Sequence, residues 1–354
     1  MNEMNRIAPE KKHPQKRFPK LTKKIIGILL ILSSAWGLVV LTACDSPKSR
    51  VPPDGPVESL TLGTSATALS SLIWVAKARG YFAEQHLDID FRLYESGHLA
   101  IRDLFAGKLD LATATEFAAV SHGLERADFR IISILDQAQD QQLVARRDRG
   151  ITQLSDLKNK RVGVAQNTSA EYYLHLLLIL EKIQSEDIQF VNLLPSEQVK
   201  AVTKGDVDAV MVWEPFATMA KQEMGTNALS WAGQSGQDEY WLLLSTASII
   251  EKKSRAIRRF LSALASAEDL IKSNEIEAIG IMEKQLESPN LVALWRNHRF
   301  GLGLHRPLIL KMEAELEWVK SGPVARRSDI PDLHDFVYFD ALKSLEPTKI
   351  KMLH

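Results

Sequence analysis

The sequence predicts an α/β protein whose body consists of two similar lobes followed by a largely helical C-terminal part. Three observations carry that expectation. Short β-type runs alternate with helical patterns from residue 59 onward, the same alternation restarts after Asp156, and from Ser254 to the end the pattern turns helical without a third set of strands. Alternation of this kind marks mostly parallel sheets covered by helices. With 354 residues, 45% apolar and 25% charged, the chain has the composition of an ordinary globular protein and length for about two domains, which excludes disorder as its main state.

Taken in order, residues 1–24 are polar and basic, and an uncharged, mostly apolar run covers 25–43. This is the layout of a secretory signal. Residues 1–43 hold eight Lys or Arg and two Glu; because the whole chain balances 44 basic against 44 acidic residues, the remainder carries six net negative charges. The body therefore offers no basic field for nucleic acid. The apolar run closes as Leu41-Thr42-Ala43-Cys44, which resembles the lipobox of bacterial lipoproteins and implies that Cys44 is lipidated and becomes the new N-terminus. An uncleaved membrane anchor is the competing reading, since 19 uncharged residues can just span a bilayer. Both readings put the body outside the cytoplasm, because the positive charge before the run stays inside. Asp45 after the cysteine resembles an inner-membrane retention signal. Cys44 is the single cysteine, so a disulfide framework, a multi-cysteine zinc site and an iron–sulfur cluster within one chain are excluded.

Residues 44–58 are expected to form a flexible tether: the stretch DSPKSRVPPDGPVE has four prolines, one glycine and little that is apolar. In the first lobe, strands are expected at 60–63, 89–94, 109–114 and 129–134, with helices at 69–85, 98–106 and 117–125. In the second, strands are expected at 161–165, 188–193 and 208–212, with helices at 169–183, 197–203 and 214–221. Tyr173, Leu176, Leu177, Leu180 and Ile183 follow the spacing that turns one helix face to a core. The extended runs QQLVAR (141–146) and YWLLLS (240–245) are read as paired crossovers between the lobes. Helices at 256–274, 275–286, 291–298 and 307–320 are expected to pack back onto the first lobe. The plan is thus lobe I from 59–140 plus 246–350, lobe II from 141–245, and a cleft between them.

Ligands of open α/β sheets collect beyond the carboxyl ends of the strands, where loops lead into helix N-termini. The expected strands end at Thr64-Ser65, Ser96-Gly97, Thr115-Glu116, Asn167-Thr168-Ser169 and Trp213-Glu214-Pro215, and these residues, apart from the structural first-turn proline Pro215, are the candidate ligand site. Hydroxyls and free backbone N–H groups at a helix start can hold an oxoanion without a buried lysine. Each Ser, Thr or Asn there can equally be a plain N-cap. Trp213 can supply a flat wall to the ligand, whereas Trp74, among Leu72, Ile73 and Val75, reads as core. Glu116 and Glu214 sit where a helix dipole favours negative charge; if either faces the cleft it selects a ligand with an N–H or ammonium group.

Four segments carry a family resemblance. WVAKARGYFAEQHLDIDF (74–91), LFAGKLDLATATEFA (104–118), LKNKRVGVAQNTSAEYYLHLLL (157–178) and KGDVDAVMVWEPFA (204–217) resemble landmark segments of the solute-binding proteins for nitrate, alkanesulfonates, taurine and thiamine-type pyrimidines that feed ABC importers. The resemblance spans about 60–318, and the run from Gly205 through Trp213-Glu214-Pro215-Phe216 is its most specific part. It implies a two-lobed periplasmic-binding-protein fold of type II with two crossover hinge segments. It further implies a small-molecule ligand (sulfonate, nitrate or pyrimidine-like), delivery to a permease with a cytoplasmic ATPase, a lipid-anchored monomer, and no reaction. In that family no single residue is fixed at the position of Glu116, so specificity is expected there.

Two other readings stand beside this one. An extracytoplasmic sensor or adaptor could use the same lobes, and pyrimidine synthases share the fold, although those enzymes carry a cysteine-rich segment that this chain lacks. No spaced His or Cys metal motif, phosphate loop, dinucleotide loop or nucleophile elbow occurs, so neither a metal nor a cofactor is expected.

Overall fold

The computed structural model describes residues 54–123, 126–287, 292–321 and 332–352. The expected signal segment 1–43, the expected lipidation site Cys44 and the tether up to residue 53 lie outside the described residues. Strands β1 (Glu58–Thr64), β2 (Leu87–Leu93), β3 (Leu111–Thr115) and β4 (Phe129–Ala138) begin a first sheet. Strands β5 (Gln141–Arg146), β6 (Arg161–Val164), β7 (Gln189–Asn192), β8 (Ala209–Trp213) and β9 (Ala228–Ala232) make a second, and β10 (Glu239–Thr246) returns to the first.

The two sheets repeat one plan. The first runs β2-β1-β3-β10-β4 and the second β7-β6-β8-β5-β9. In each, three strands are parallel and the fourth position holds an antiparallel strand that arrives from, or leads into, the other lobe. The central strands β3, β8 and β10 are buried at every position because helices cover both faces, which is why β8 and the middle of β10 read as apolar runs, while β3 buries Thr113 and Thr115 among its alanines. Edge strand β2 alternates instead, with Leu87, Ile89 and Phe91 buried or half-buried and Asp88, Asp90 and Arg92 exposed. This is the two-lobed α/β architecture the sequence implied.

Several boundaries move. The run 240–245, assigned above to lobe II, belongs to lobe I: β10 pairs with β3 and β4 and completes their sheet. Neither extended run is itself a crossover. The chain passes between lobes at residues 139–140, between β4 and β5, and again at 233–238, between β9 and β10. An apolar extended run looks the same in sequence whether it bridges lobes or fills a sheet; only its pairing partner tells them apart. Strand β9 was not expected, since this five-residue strand is partly exposed at the sheet edge and carries no apolar run.

The helix expected over 69–85 breaks at Gly80, whose φ of 75° is left-handed, into Ser71–Ala78 and Tyr81–Glu84. Helix Ala247–Ser273 starts earlier than expected and leaves helical dihedrals at Lys253. Helix Ser169–Leu180 buries Ala170, Tyr172, Tyr173, Leu174, Leu177 and Leu178, whereas Leu180, expected on the core face, is 63% exposed. The tether is not free up to residue 58. Arg259 donates to the Asp54 carbonyl at 2.8 Å, to the Pro56 carbonyl at 3.0 Å and to the Glu58 carboxylate at 2.9 Å, so Asp54–Glu58 is held against the first lobe.

The main core of the first lobe joins strand residues such as Leu62, Ile131 and Leu243 to Phe260, Leu264, Met282 and Met312 of the C-terminal helices. The last long helix, Arg306–Ser321, packs on that lobe as expected, through Leu308, Ile309 and Met312, and its far end also reaches the second lobe. Its Trp318 meets Tyr172 and His175 of the second lobe, at 5.7 and 5.2 Å between ring centroids, and Phe117 of the first at 5.6 Å.

Candidate functional site

The strand ends of both sheets face one hollow of about 370 Å³, its open mouth included. Ser65, Ser96, Gly97 and Thr115 line it from the first lobe, and Thr168, Ser169 and Trp213 line it from the second. Seven of the eleven candidate residues are thereby brought together. Thr64, Glu116, Asn167 and Glu214 are not among the lining residues.

Each wall has a local cause. In the loop after β1, hydroxyls form a chain: Thr113 donates to Thr64 at 2.9 Å, Thr64 and Ser70 lie 3.0 Å apart, and Ser65 pairs with Thr67 at 2.9 Å. Thr64 is the buried link of that chain and Ser65 its cleft end. Trp74 is core, as expected, stacked on Phe91, and its indole N–H braces this loop through the Ser65 carbonyl at 3.0 Å. Gly97 begins helix Gly97–Phe105 hard against β3, where a Cβ would lie 2.5 Å from Ala114. Thr115 is a true N-cap, accepting the Ala118 N–H. Ser96 and Thr168 occupy N-cap positions without capping: Ser96 pairs with His98 at 2.7 Å, and Thr168 donates back to the Ala165 carbonyl at 2.7 Å. The N-cap explanation therefore accounts for Thr115 and not for these two.

Two cross-strand pairs organise the floor. Thr115 lies opposite Trp241 in the first sheet, and Gln141 lies opposite Trp213 in the second. Each pair offers the hollow one ring and one polar group, and all four residues line it. Trp241 escaped the sequence reading because it sits inside an apolar strand run, and Gln141 because it opens a run read as a crossover; Thr67, Leu69, Glu95 and Ala118 were missed as well. Ser169 donates to Glu239 at 2.7 Å, and the Gln141 amide donates to the same carboxylate at 3.1 Å.

The expected acidic determinants stand back from the hollow. Glu214 accepts from Gln142 at 2.6 Å, from the Thr218 backbone N–H at 3.0 Å and from Lys221 at 3.5 Å, which consumes it in holding β8 to the helix that follows. Glu116 accepts the Tyr240 N–H at 2.8 Å and faces Lys311 at 3.4 Å, which also faces Glu315 at 3.3 Å. Burial pushes Glu116 up to about 7 against the pull of Lys311. Burial and the neighbouring Glu116 likewise raise Glu315, and burial with Glu239 raises Asp140 at the crossover. Asn167, at a left-handed φ of 61°, lines a neighbouring hollow with His98, Asn192 and Glu197. Burial and the stacked His122 lower His98 to about 4, so its imidazole is neutral beside Ser96.

A family model described as NMT1/THI5 like matches residues 70–278, more than half of the chain and all strands from β2 to β10. The chain belongs to the NMT1/THI5-like family. A Brucella abortus protein described as a binding protein is 25% identical over 64% of this chain and 68% of its own length. A Bacillus subtilis protein described as binding aliphatic sulfonates is 25% identical over 46% of this chain and 50% of its own. Among solved structures, the periplasmic aliphatic sulphonate binding protein SsuA of Escherichia coli superposes with a TM-score of 0.67 at 16% identity, covering 79% of this chain and 97% of that one. The fold is that of periplasmic binding proteins. It is not confined to receptors: the desulfurization enzyme DSZB superposes with a TM-score of 0.58 at 14% identity, covering 81% of this chain and 98% of its own. Among the described residues no helix is long and apolar enough to cross a membrane.

Proposed function

We propose that this chain is the solute-capturing component of an ABC importer, a monomer held on the outer side of the inner membrane by a lipid on Cys44. One observation carries the reading: polar strand ends from two hinged lobes, Ser65, Ser96 and Thr115 on one side and Thr168 and Ser169 on the other, meet across a single open-mouthed hollow. Residues 139–140 and 233–238 are short connections about which the lobes can rotate, and a solute that touches both walls favours the closed form by its differential affinity. The Brucella and Bacillus relatives support a binding role. Receptor action rather than catalysis fits the site's chemistry. The sole cysteine lies in the leader, and the Ser96 hydroxyl of the hollow pairs with His98 of the neighbouring hollow, a ring with no carboxylate within hydrogen-bonding distance among its described contacts.

A thermal-shift screen of the full chain in mild detergent against several hundred small metabolites tests the reading. A solute at 100 times its dissociation constant stabilises the protein by about 2.7 kcal/mol. No stabilising compound in such a library would count against a receptor. Metabolic labelling with palmitate tests the anchor: Cys44→Ala is expected to abolish the label, and a labelled variant would overturn lipidation at that residue.

A further inference from the structure

We propose that the solute of this cleft carries an N–H donor beside an oxygen or nitrogen acceptor and bears no net negative charge. The inference rests on the receptor reading above and narrows it to neutral or zwitterionic solutes. Two cleft-lining side chains, one from each lobe, are buried with a polar atom that meets no partner among the described residues: the Oε1 of Gln141, an acceptor, and the Nε1 of Trp241, a donor. The orientation of the Gln141 amide is fixed by its neighbours. Its nitrogen lies 3.1 Å from one Glu239 oxygen and 3.3 Å from the Ser169 hydroxyl, which itself donates to Glu239, so the reverse orientation would set a carbonyl oxygen against a carboxylate. Oε1 therefore turns away from Glu239 and asks for an N–H that none of the described residues supplies.

The surrounding charge agrees. No Lys or Arg lines the hollow, Glu95 does, and Glu239 stands directly behind Ser169 and Gln141. A bare anion would meet hydroxyls, the uncapped helix starts at Ser96 and Thr168 and one indole N–H, but it would do so inside this acidic frame and would leave Gln141 unsatisfied. A solute that pairs an acceptor for Trp241 with an N–H for Gln141 answers both buried groups and brings no net charge of the disfavoured sign.

Matched pairs test this in the full chain: ethanesulfonate against 2-aminoethanesulfonate, propionate against 3-aminopropionate, and pyrimidine against 4-aminopyrimidine, with nitrate and sulfate as bare anions. For every pair with a binder, the N–H-bearing member is expected to bind at least tenfold more tightly, and nitrate and sulfate are expected to give no thermal shift at 1 mM. A bare anion that binds as well as its amino counterpart overturns this inference and leaves the receptor reading standing; failure of both the pairs and the metabolite screen overturns the two together. Trp241→Phe keeps a ring and removes the donor, and is expected to weaken the best binder about tenfold. Wild-type affinity in a folded Trp241→Phe variant removes the indole from the site.

Discussion

The Glu95 carboxylate, on the first lobe, accepts the Ser196 hydroxyl at 3.1 Å and the Ser196 backbone N–H at 3.3 Å, on the second lobe's helix Pro195–Lys204. Glu95 also lines the hollow, so a single side chain touches both the solute space and the opposite lobe. It bridges the two lobes, and is expected to act as a latch on the closed form. An exposed pair of hydrogen bonds of this kind contributes about 0.5 to 1 kcal/mol. Ser196→Ala is therefore expected to raise the dissociation constant of any captured solute about two- to fivefold, measured by calorimetry, with the melting temperature of the unliganded protein nearly unchanged. Unaltered affinity would mean that the latch does not favour closure.

Gly97 predicts a steric failure. Any Cβ there would lie 2.5 Å from both Ala114 Cα and Ala114 Cβ, and 3.0 Å from the Thr113 carbonyl oxygen. These contacts belong to the backbone and a stub side chain of a central strand, so nothing flexible can yield. Gly97→Ala is expected to cost about 1–3 kcal/mol in urea denaturation. A neutral result would show that the helix Gly97–Phe105 can shift off β3 freely.

Lys311 faces two buried acids at once, Glu116 at 3.4 Å and Glu315 at 3.3 Å. Burial works against its charge, yet the two carboxylates outweigh burial and raise its affinity for the proton. Lys311→Met would leave that charge uncompensated, and removing one partner from a buried ionic cluster costs about 3–5 kcal/mol. The loss should be largely recovered when Glu116→Gln and Glu315→Gln are added, since the cluster is then neutral. A triple variant no more stable than Lys311→Met would argue against electrostatics as the cause.

Glu116 gives the protein a pH dependence of known sign. Its carboxyl titrates near 4.5 when unfolded and is pushed up to about 7 by burial when folded, so the folded state binds the proton more tightly. Its contribution is intact below about pH 4.5 and is lost as pH rises through about 7, by up to about 3 kcal/mol. Glu116→Gln should flatten this part of the profile. Urea midpoints at pH 5, 6, 7 and 8 are expected to converge toward the wild type at the acid end and to exceed it at the alkaline end. Parallel profiles would assign the pH dependence to other groups.

Much of this protein was legible along the chain. Helix and strand periodicity located most of the longer elements, because burial on one face or two leaves a repeating trace in the sequence, whereas edge strand β9 and the short elements beyond residue 330 left none. Strand ends rich in Ser and Thr pointed to Ser65, Ser96, Thr115, Thr168 and Ser169, and all of them line the hollow. Glu116 and Glu214 misled for a physical reason. A carboxylate at a helix start reads the same whether it faces a cleft or is folded inward, and here Lys311 and Tyr240 draw one inward while Gln142, Thr218 and Lys221 hold the other.

The sequence by itself determined the alternation of strands and helices, the two-lobed plan and the polar residues at the strand ends, since each of these follows from local spacing. The tertiary structure alone decided which lobe owns Glu239–Thr246 and which side chains complete the floor. Thr115 meets Trp241, and Gln141 meets Trp213, only through antiparallel registers between segments about 70 to 125 residues apart. Register is a long-range choice: it is settled by which apolar faces cover each other, and no stretch of either strand records its partner.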